Sequence, residues 1–140
     1  MKVFLDSNVI VSGIAFRGPE FDLLRSSFAS RHVFVISEDV QGEVRGVLRR
    51  QFPRFQEEAE EILALFPIDV VPREAYAARL GDFPALRDPK DAHVLAAALE
   101  AECDLIATGD QDLLVLGQLE GTKIERSARV LRLLRGTADP

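Results

Sequence analysis

The stretch DPKDAHVLAAALEAECDLIATGD, residues 88–110, decides the fold. Asp88 ahead of Pro89 is a combination that opens helices: an oxygen caps free N–H groups, and proline lacks a donor the first turn does not need. From Ala92 to Glu102 the residues are almost wholly apolar, which predicts a helix covered on most of its circumference. The strand Asp104–Ala107 follows at once, and the turn Thr108-Gly109-Asp110 starts another short helix through Leu116. A buried helix running into a buried strand is half of a βαβ unit, and it needs a parallel sheet to lie against.

Working outward, the same alternation recurs. Lys2-Val-Phe-Leu is an apolar strand ended by polar Asp6-Ser7-Asn8, with a helix expected over 9–16. Arg17-Gly18-Pro19 interrupts, and Phe21, Leu24 and Phe28 carry helical spacing through 20–29. A second strand, 32–36, leads to Ser37, an N-cap with Glu38 and Asp39 in the first turn, and to a helix with Val40, Val44, Val47 and Leu48 on one face. After Pro53 an amphipathic helix spans 55–66, with Ile62, Leu63 and Phe66 inward and Glu57, Glu58, Glu60 and Glu61 toward water. A strand at 68–71, a short helix at 74–80, a loop at 81–87, a last strand at 123–125 and a helix at 127–134 complete the chain. This is an α/β pattern with right-handed crossovers. The 140 residues, 47% of them apolar, suffice for one domain, read as 1–135 with a loose tail at 136–140.

Composition narrows the function. The lone cysteine, Cys103, sits among apolar neighbours and reads as a buried thiol, so disulfides and cysteine-rich zinc sites are excluded and a reducing, cytoplasmic setting is expected. No secretory signal pattern and no apolar run of membrane-spanning length is present. A net charge of −6 is unusual for a binder of nucleic acid, although carboxylates gathered around cations produce that sign locally.

In open parallel sheets functional residues gather at the carboxyl ends of strands, where Asp6 and Asp110 stand. Asp91 in the first turn of the apolar helix, and Glu43 a turn and a half into its own, can converge on the same rim. Four carboxylates within a few ångströms require a cation or a proton between them. Oxygen ligands without histidine or cysteine suit magnesium or manganese, and these ions point to phosphodiester hydrolysis without a protein nucleophile. Each acid also has a plainer reading: Asp88, Asp91 and Asp110 as helix caps, Asp112 as a complement to a helix dipole, Glu43 as a solvated helix residue. Asp6 is harder to explain that way, because an acid ending a buried strand is costly without a partner. His32 and His93, the two histidines, read as core or interface residues rather than catalysts. A dehalogenase-type phosphatase would need an aspartate where Asn8 stands, a receiver domain would need a phosphoacceptor at Val71-Pro72, and there is no Gly-rich phosphate loop.

The segments VFLDSNVIVSG (3–13), SEDVQGEVRGVLRR (37–50) and DPKDAHVLAAALEAECDLIATGDQDLL (88–114) resemble, in order, the motifs of the PIN-domain family of metal-dependent ribonucleases, and in particular its branch of toxins from toxin–antitoxin pairs. The resemblance spans nearly the whole chain. It implies a three-layer sandwich around a mainly parallel five-stranded sheet, with Asp6, Glu43, Asp91 and Asp110 as the acidic quartet holding Mg2+ or Mn2+. Asn8, Thr108 and Asp112 match supporting positions, and Asp88 is a near neighbour. It further implies endoribonuclease activity, a homodimer and a separately encoded antitoxin. Arg17, Arg45 and Arg49, with Arg50 and Arg54, are candidates for contacting RNA phosphates. Arg129, Arg132 and Arg135 on the last helix, set around Val130, Leu131, Leu133 and Leu134, read either as a docking surface or, preferably, as the polar side of an amphipathic closing helix. Two competing readings are a non-catalytic RNA- or protein-binding module on the same fold and an RNA-processing nuclease outside any toxin pair. A third, a phosphotransfer domain using Asp6 as nucleophile, would leave a phosphoryl adduct there.

Overall fold

Strand β1 (Lys2–Leu5) is the centre of the sheet, and every residue of it from Val3 on is fully buried. A computed structural model of the protein describes residues 1–29 and 31–136. Parallel to β1 on one side run β2 (Val33–Ser37) and then β3 (Ile68–Val71); on the other run β4 (Leu105–Ala107) and then β6 (Thr122–Glu125). These are the five expected parallel strands. A sixth, β5 (Gln118–Leu119), pairs antiparallel with β6 at the edge, giving the order β3-β2-β1-β4-β6-β5. Its hairpin turn holds Glu120 at φ 48° and Gly121 at φ 91°, the left-handed conformations a two-residue primed turn demands. Glutamate there gives little turn signal, so the hairpin is an addition to the elements expected from sequence.

Helix α1 (Ser7–Ala15) begins where β1 stops, because Asp6 accepts from the Ser7 N–H and occupies the cap position. It packs on α2 (Pro19–Ser26), at a close approach that only Gly13 permits: a Cβ there would lie 3.0 Å from the Glu20 carbonyl oxygen and collide with the Leu24 side chain. Ser37 caps α3 (Glu38–Gln51) through the Val40 N–H at 3.0 Å, as the sequence predicts, and Val40, Val44 and Leu48 are buried. In α4 (Gln56–Leu65) the inward positions are Ala59 and Leu63, with Phe66 just beyond. Ile62, expected to face inward, is instead 48% exposed, because it sits one residue, about 100° of helix rotation, off that stripe. Helix α5 (Arg73–Tyr76) continues as a 3₁₀ turn to Asp82, and its Tyr76 hydroxyl donates to the Asp39 carboxylate, tying α5 to α3.

Helix α6 (Ala92–Glu100) is preceded by a 3₁₀ turn at Pro89–Asp91, which Asp88 caps through the Lys90 N–H. Val94 to Ala98 are all buried. Short α7 (Gln111–Leu114) follows β4, and α8 (Ser127–Gly136) closes the chain against α2 and β4. Gly136, expected in the tail, is the last residue of α8, and 137–140 lie outside the described residues. Among those described, no helix is long and apolar enough to cross a membrane. Cys103 is buried, and burial pushes its thiol up to about 12.

The chain builds one half of the sheet outward from β1 through β2 and β3, then returns to build the other half from β4. The order therefore reverses between β1 and β4. At such a switch point the helices leaving adjacent strands diverge to opposite faces, opening a crevice at the strands' carboxyl ends. Asp6 and Thr108 are the residues that immediately follow those two strands.

Candidate metal centre

Asp6 is 7% exposed and hydrogen-bonded at both oxygens: the Ser7 N–H donates to Oδ1 at 2.8 Å and the Thr108 hydroxyl to Oδ2 at 2.7 Å. The backbone extends the sheet by one more bond, from the Asp6 N–H to the Ala107 carbonyl at 3.0 Å. Burial raises the Asp6 pKa, the Thr108 and Ser7 bonds oppose the rise, and the charges of Glu43 and Asp110 add to it. Thr108, with its side chain fully buried, also accepts from the Asp110 N–H at 3.0 Å. One hydroxyl thus links the acid after β1 to the acid after β4. Asn8, in the first turn of α1, lies beside Gly109, 3.8 Å from where a Cβ would sit there.

Asp110 caps α7, accepting from the Asp112 N–H at 2.9 Å. The bond turns Asp112 back toward its capping partner, and carboxylate oxygens of Asp91, Asp110 and Asp112 all lie within 4.8 Å of one another. Asp91, a candidate cap on sequence grounds, caps nothing: its Oδ2 is buried with no hydrogen-bond partner. Burial raises its pKa first, and the charges of Asp110 and Asp88, a hydrogen bond with the Asp110 carboxyl and the charge of Asp6 take it to about 6. A carboxylate pressed against two others with an unsatisfied buried oxygen is what a hard cation relieves. The donor set is all oxygen, so the residues fit a magnesium- or manganese-type ion.

Glu43 stands apart from that trio. Its Oε1 lies 3.3 Å from Nε2 of His93, which follows Asp91 by two residues at the start of α6. Burial lowers the His93 pKa, but Glu43's hydrogen bond and charge outweigh it, so the net shift is upward. The pairing gives His93 a place at the site that a core or interface reading of it omits, and it depends on how α3 rotates against α6, which spacing does not encode. Of the expected quartet, Asp91 and Asp110 come together with Asp112, Asp6 is bonded to Thr108, and Glu43, whose charge acts on Asp6, contacts His93. Asp88 contributes charge and a cap rather than a carboxylate in the trio.

The arginines expected to contact phosphate have other partners or none. Arg17 stacks over the Phe21 ring at 4.2 Å, Arg45 reaches Glu60 of α4 at 4.0 Å, and exposed Arg49 forms no ion pair among the described residues. Arg87, which no sequence motif singles out, lies 3.8 Å from Asp112.

The PIN domain family model matches residues 2–112, which takes in every acid of the site. The chain belongs to the PIN domain family. Two solved PIN-fold structures superpose along nearly their entire length. VapBC2 from Rickettsia felis, bound to a DNA fragment from its promoter, has a TM-score of 0.68 at 14% identity, over 90% of this chain and 98% of the other. VapC20 of Mycobacterium tuberculosis, a Sarcin–Ricin loop cleaving toxin, has 0.62 at 20% identity, over 84% and 97%. No curated protein matches the chain by sequence. At these identities the likeness is one of fold, and this PIN domain's chemistry rests on its own acids.

Proposed function

We propose that this protein is a divalent-metal-dependent endoribonuclease acting as the toxin of a toxin–antitoxin pair. The observation that carries the reading is Asp91: a buried, unpartnered carboxylate oxygen facing two further carboxylates at the sheet's switch point. Asp91, Asp110 and Asp112 would hold Mg2+ or Mn2+, with Asp6 and Glu43 lending negative charge from beside it. Bound there, such an ion supplies Lewis acidity to a phosphodiester. Asp6, locked by Ser7 and Thr108, fixes the rim of the site so that α1 and α7 keep their spacing. His93 contacts the Glu43 carboxylate through its Nε2 and so orients that acid at the site.

The toxin assignment draws on the VapC and VapBC structures that share the fold, as do the expectations of an antitoxin partner, a homodimer and a cytoplasmic location. The nuclease domain is taken as residues 1–135. Cleavage of a mixed single-stranded RNA in manganese, in magnesium and in chelator, with Asp6→Asn and Asp91→Asn alongside, tests the reading. Cleavage that requires metal and both acids supports it. Equal behaviour of wild type and variants would move the non-catalytic binding module ahead, and activity with no toxicity on expression would favour an RNA-processing nuclease.

A further inference from the structure

A polyanion must find basic surface on a protein of charge −6, and six of the fourteen arginines are already engaged. Arg25, Arg45, Arg73, Arg79 and Arg87 pair with carboxylates, and Arg17 lies on a ring. The arginines without ion pairs among the described residues fall into two main groups, one at the end of α3 and one on α8. Arg126, just ahead of α8, and Arg129 and Arg132 on it line a cavity. A groove of about 480 Å³ runs between α7, β6 and α8, with Leu114 and Ile124 among its apolar lining and Arg126, Arg129 and Arg132 along one side.

Arg129 and Arg132 lie one turn apart on α8 and Arg126 just precedes it, and all three line the groove. Glu125 is the one acid in the lining, which leaves the groove net positive. The groove also adjoins the acidic site. Gln111, the residue after Asp110, lines it and accepts from the Arg126 guanidinium at 3.2 Å. Helix α7 therefore separates the two, with Asp110 and Asp112 serving the carboxylate trio and Gln111 and Leu114 serving the groove.

We infer that this groove carries the phosphodiester backbone of a single-stranded RNA flanking the cleaved bond, with Arg129 and Arg132 each contacting a phosphate and Arg126 set by Gln111. The inference rests on the ribonuclease reading, and it gives the final helix a role beyond closing the fold. Arginine forks suit phosphate oxygens, and the apolar lining can take a base or ribose face.

The test is fluorescence anisotropy of a labelled mixed-sequence single-stranded RNA in chelator, where nothing is cut, across a range of salt. Arg129→Ala/Arg132→Ala should weaken binding at least about tenfold and flatten the plot of log affinity against log salt by about 1.4, which is roughly 0.7 for each phosphate no longer neutralised. Arg132→Glu should weaken binding further than Arg132→Ala, and Arg25→Ala/Arg31→Ala, which removes equal charge outside the groove, should change neither quantity comparably. In manganese the groove variants should raise KM for long RNA with kcat little changed. Equal binding and slope for wild type and the double alanine variant, with both folded by circular dichroism, overturns the groove while leaving metal-dependent cleavage as a separate result. Groove-dependent binding without cleavage in any metal retains the groove and removes the nuclease. Polyglutamate competing as well as RNA overturns the assignment in favour of an acidic peptide.

Discussion

In the metal-free protein Asp91→Asn should stabilise the fold, because the native carboxylate is held where a charge is unwelcome. Its pKa stands at about 6 instead of the ordinary aspartate value of 3.8. The folded state therefore binds this proton more tightly than the unfolded chain does. Below pH 4 both forms are protonated and the residue costs nothing. As pH rises through the window from 4 to 6 the unfolded chain ionises first, so folding loses stability, and above 6 the full penalty is present. Two units would be roughly 3 kcal/mol at 1.36 kcal/mol per unit, but Asp91 is only partly covered and water screens it, so about 1–2 kcal/mol is the expected cost. An asparagine removes the charge and offers an N–H to the Asp110 carboxylate. Thermal melts in chelator at pH 7.5 should place the variant about 3–6 °C above wild type, with the gap closing toward pH 4. Manganese should reverse the order, raising wild type as its concentration exceeds the dissociation constant and leaving the variant nearly unmoved. A variant that melts below wild type in chelator at pH 7.5 would refute the claim that these carboxylates are strained against one another.

Thr108→Val should cost about 1–3 kcal/mol and most of the activity, since it strips a buried hydroxyl that serves both Asp6 Oδ2 and the Asp110 N–H; denaturant melts and metal-dependent cleavage read the two effects. Gly13→Val should destabilise by about 1–3 kcal/mol by forcing α1 away from Glu20 and Leu24 of α2, measurable in the same melts, while Gly42→Ala, which meets nothing within 4 Å, should be tolerated. Tyr76→Phe should cost roughly 1–2 kcal/mol by leaving Asp39 with one partner fewer, a loss that urea titration would detect. Cys103 should resist a disulfide reagent at pH 8 in the folded protein and react fully in denaturant, because its thiol is buried and its pKa is about 12; rapid labelling of the native protein would contradict this.

What made the fold legible was the pair of central strands, β1 and β4. Val3, Phe4 and Leu5, like Leu105, Ile106 and Ala107, are buried on both faces, so each strand reads as an uninterrupted apolar run with a polar residue at its end. Ile68–Val71 is also readable, although the strand is only partly covered, because Pro67 and Pro72 bracket it. Edges and rotations are harder to read. Strand β5 has two residues and an unmarked Glu-Gly turn, and α4 offers apolar residues on two faces, so periodicity alone does not choose Ala59 and Leu63 over Ile62. Tertiary packing makes that choice.

The acids are legible to the extent that strand ends fix them. Asp6 and Asp110 follow β1 and β4 closely, and their positions come from topology alone. Their satisfaction by hydrogen bonds does not. Asp6 has a donor on each oxygen that partly offsets its burial and the charges of Glu43 and Asp110, whereas Asp91 has a buried oxygen with no donor, a difference that spacing does not encode. A hydrogen-bonded acid such as Asp6 is held in position by its donors. An unsatisfied one is costly in the free protein and recovers that cost only when a cation arrives. The folded chain thus keeps a preformed charge of carboxylates at the switch point, and the instability that Asp91 introduces is the same quantity that would favour metal binding.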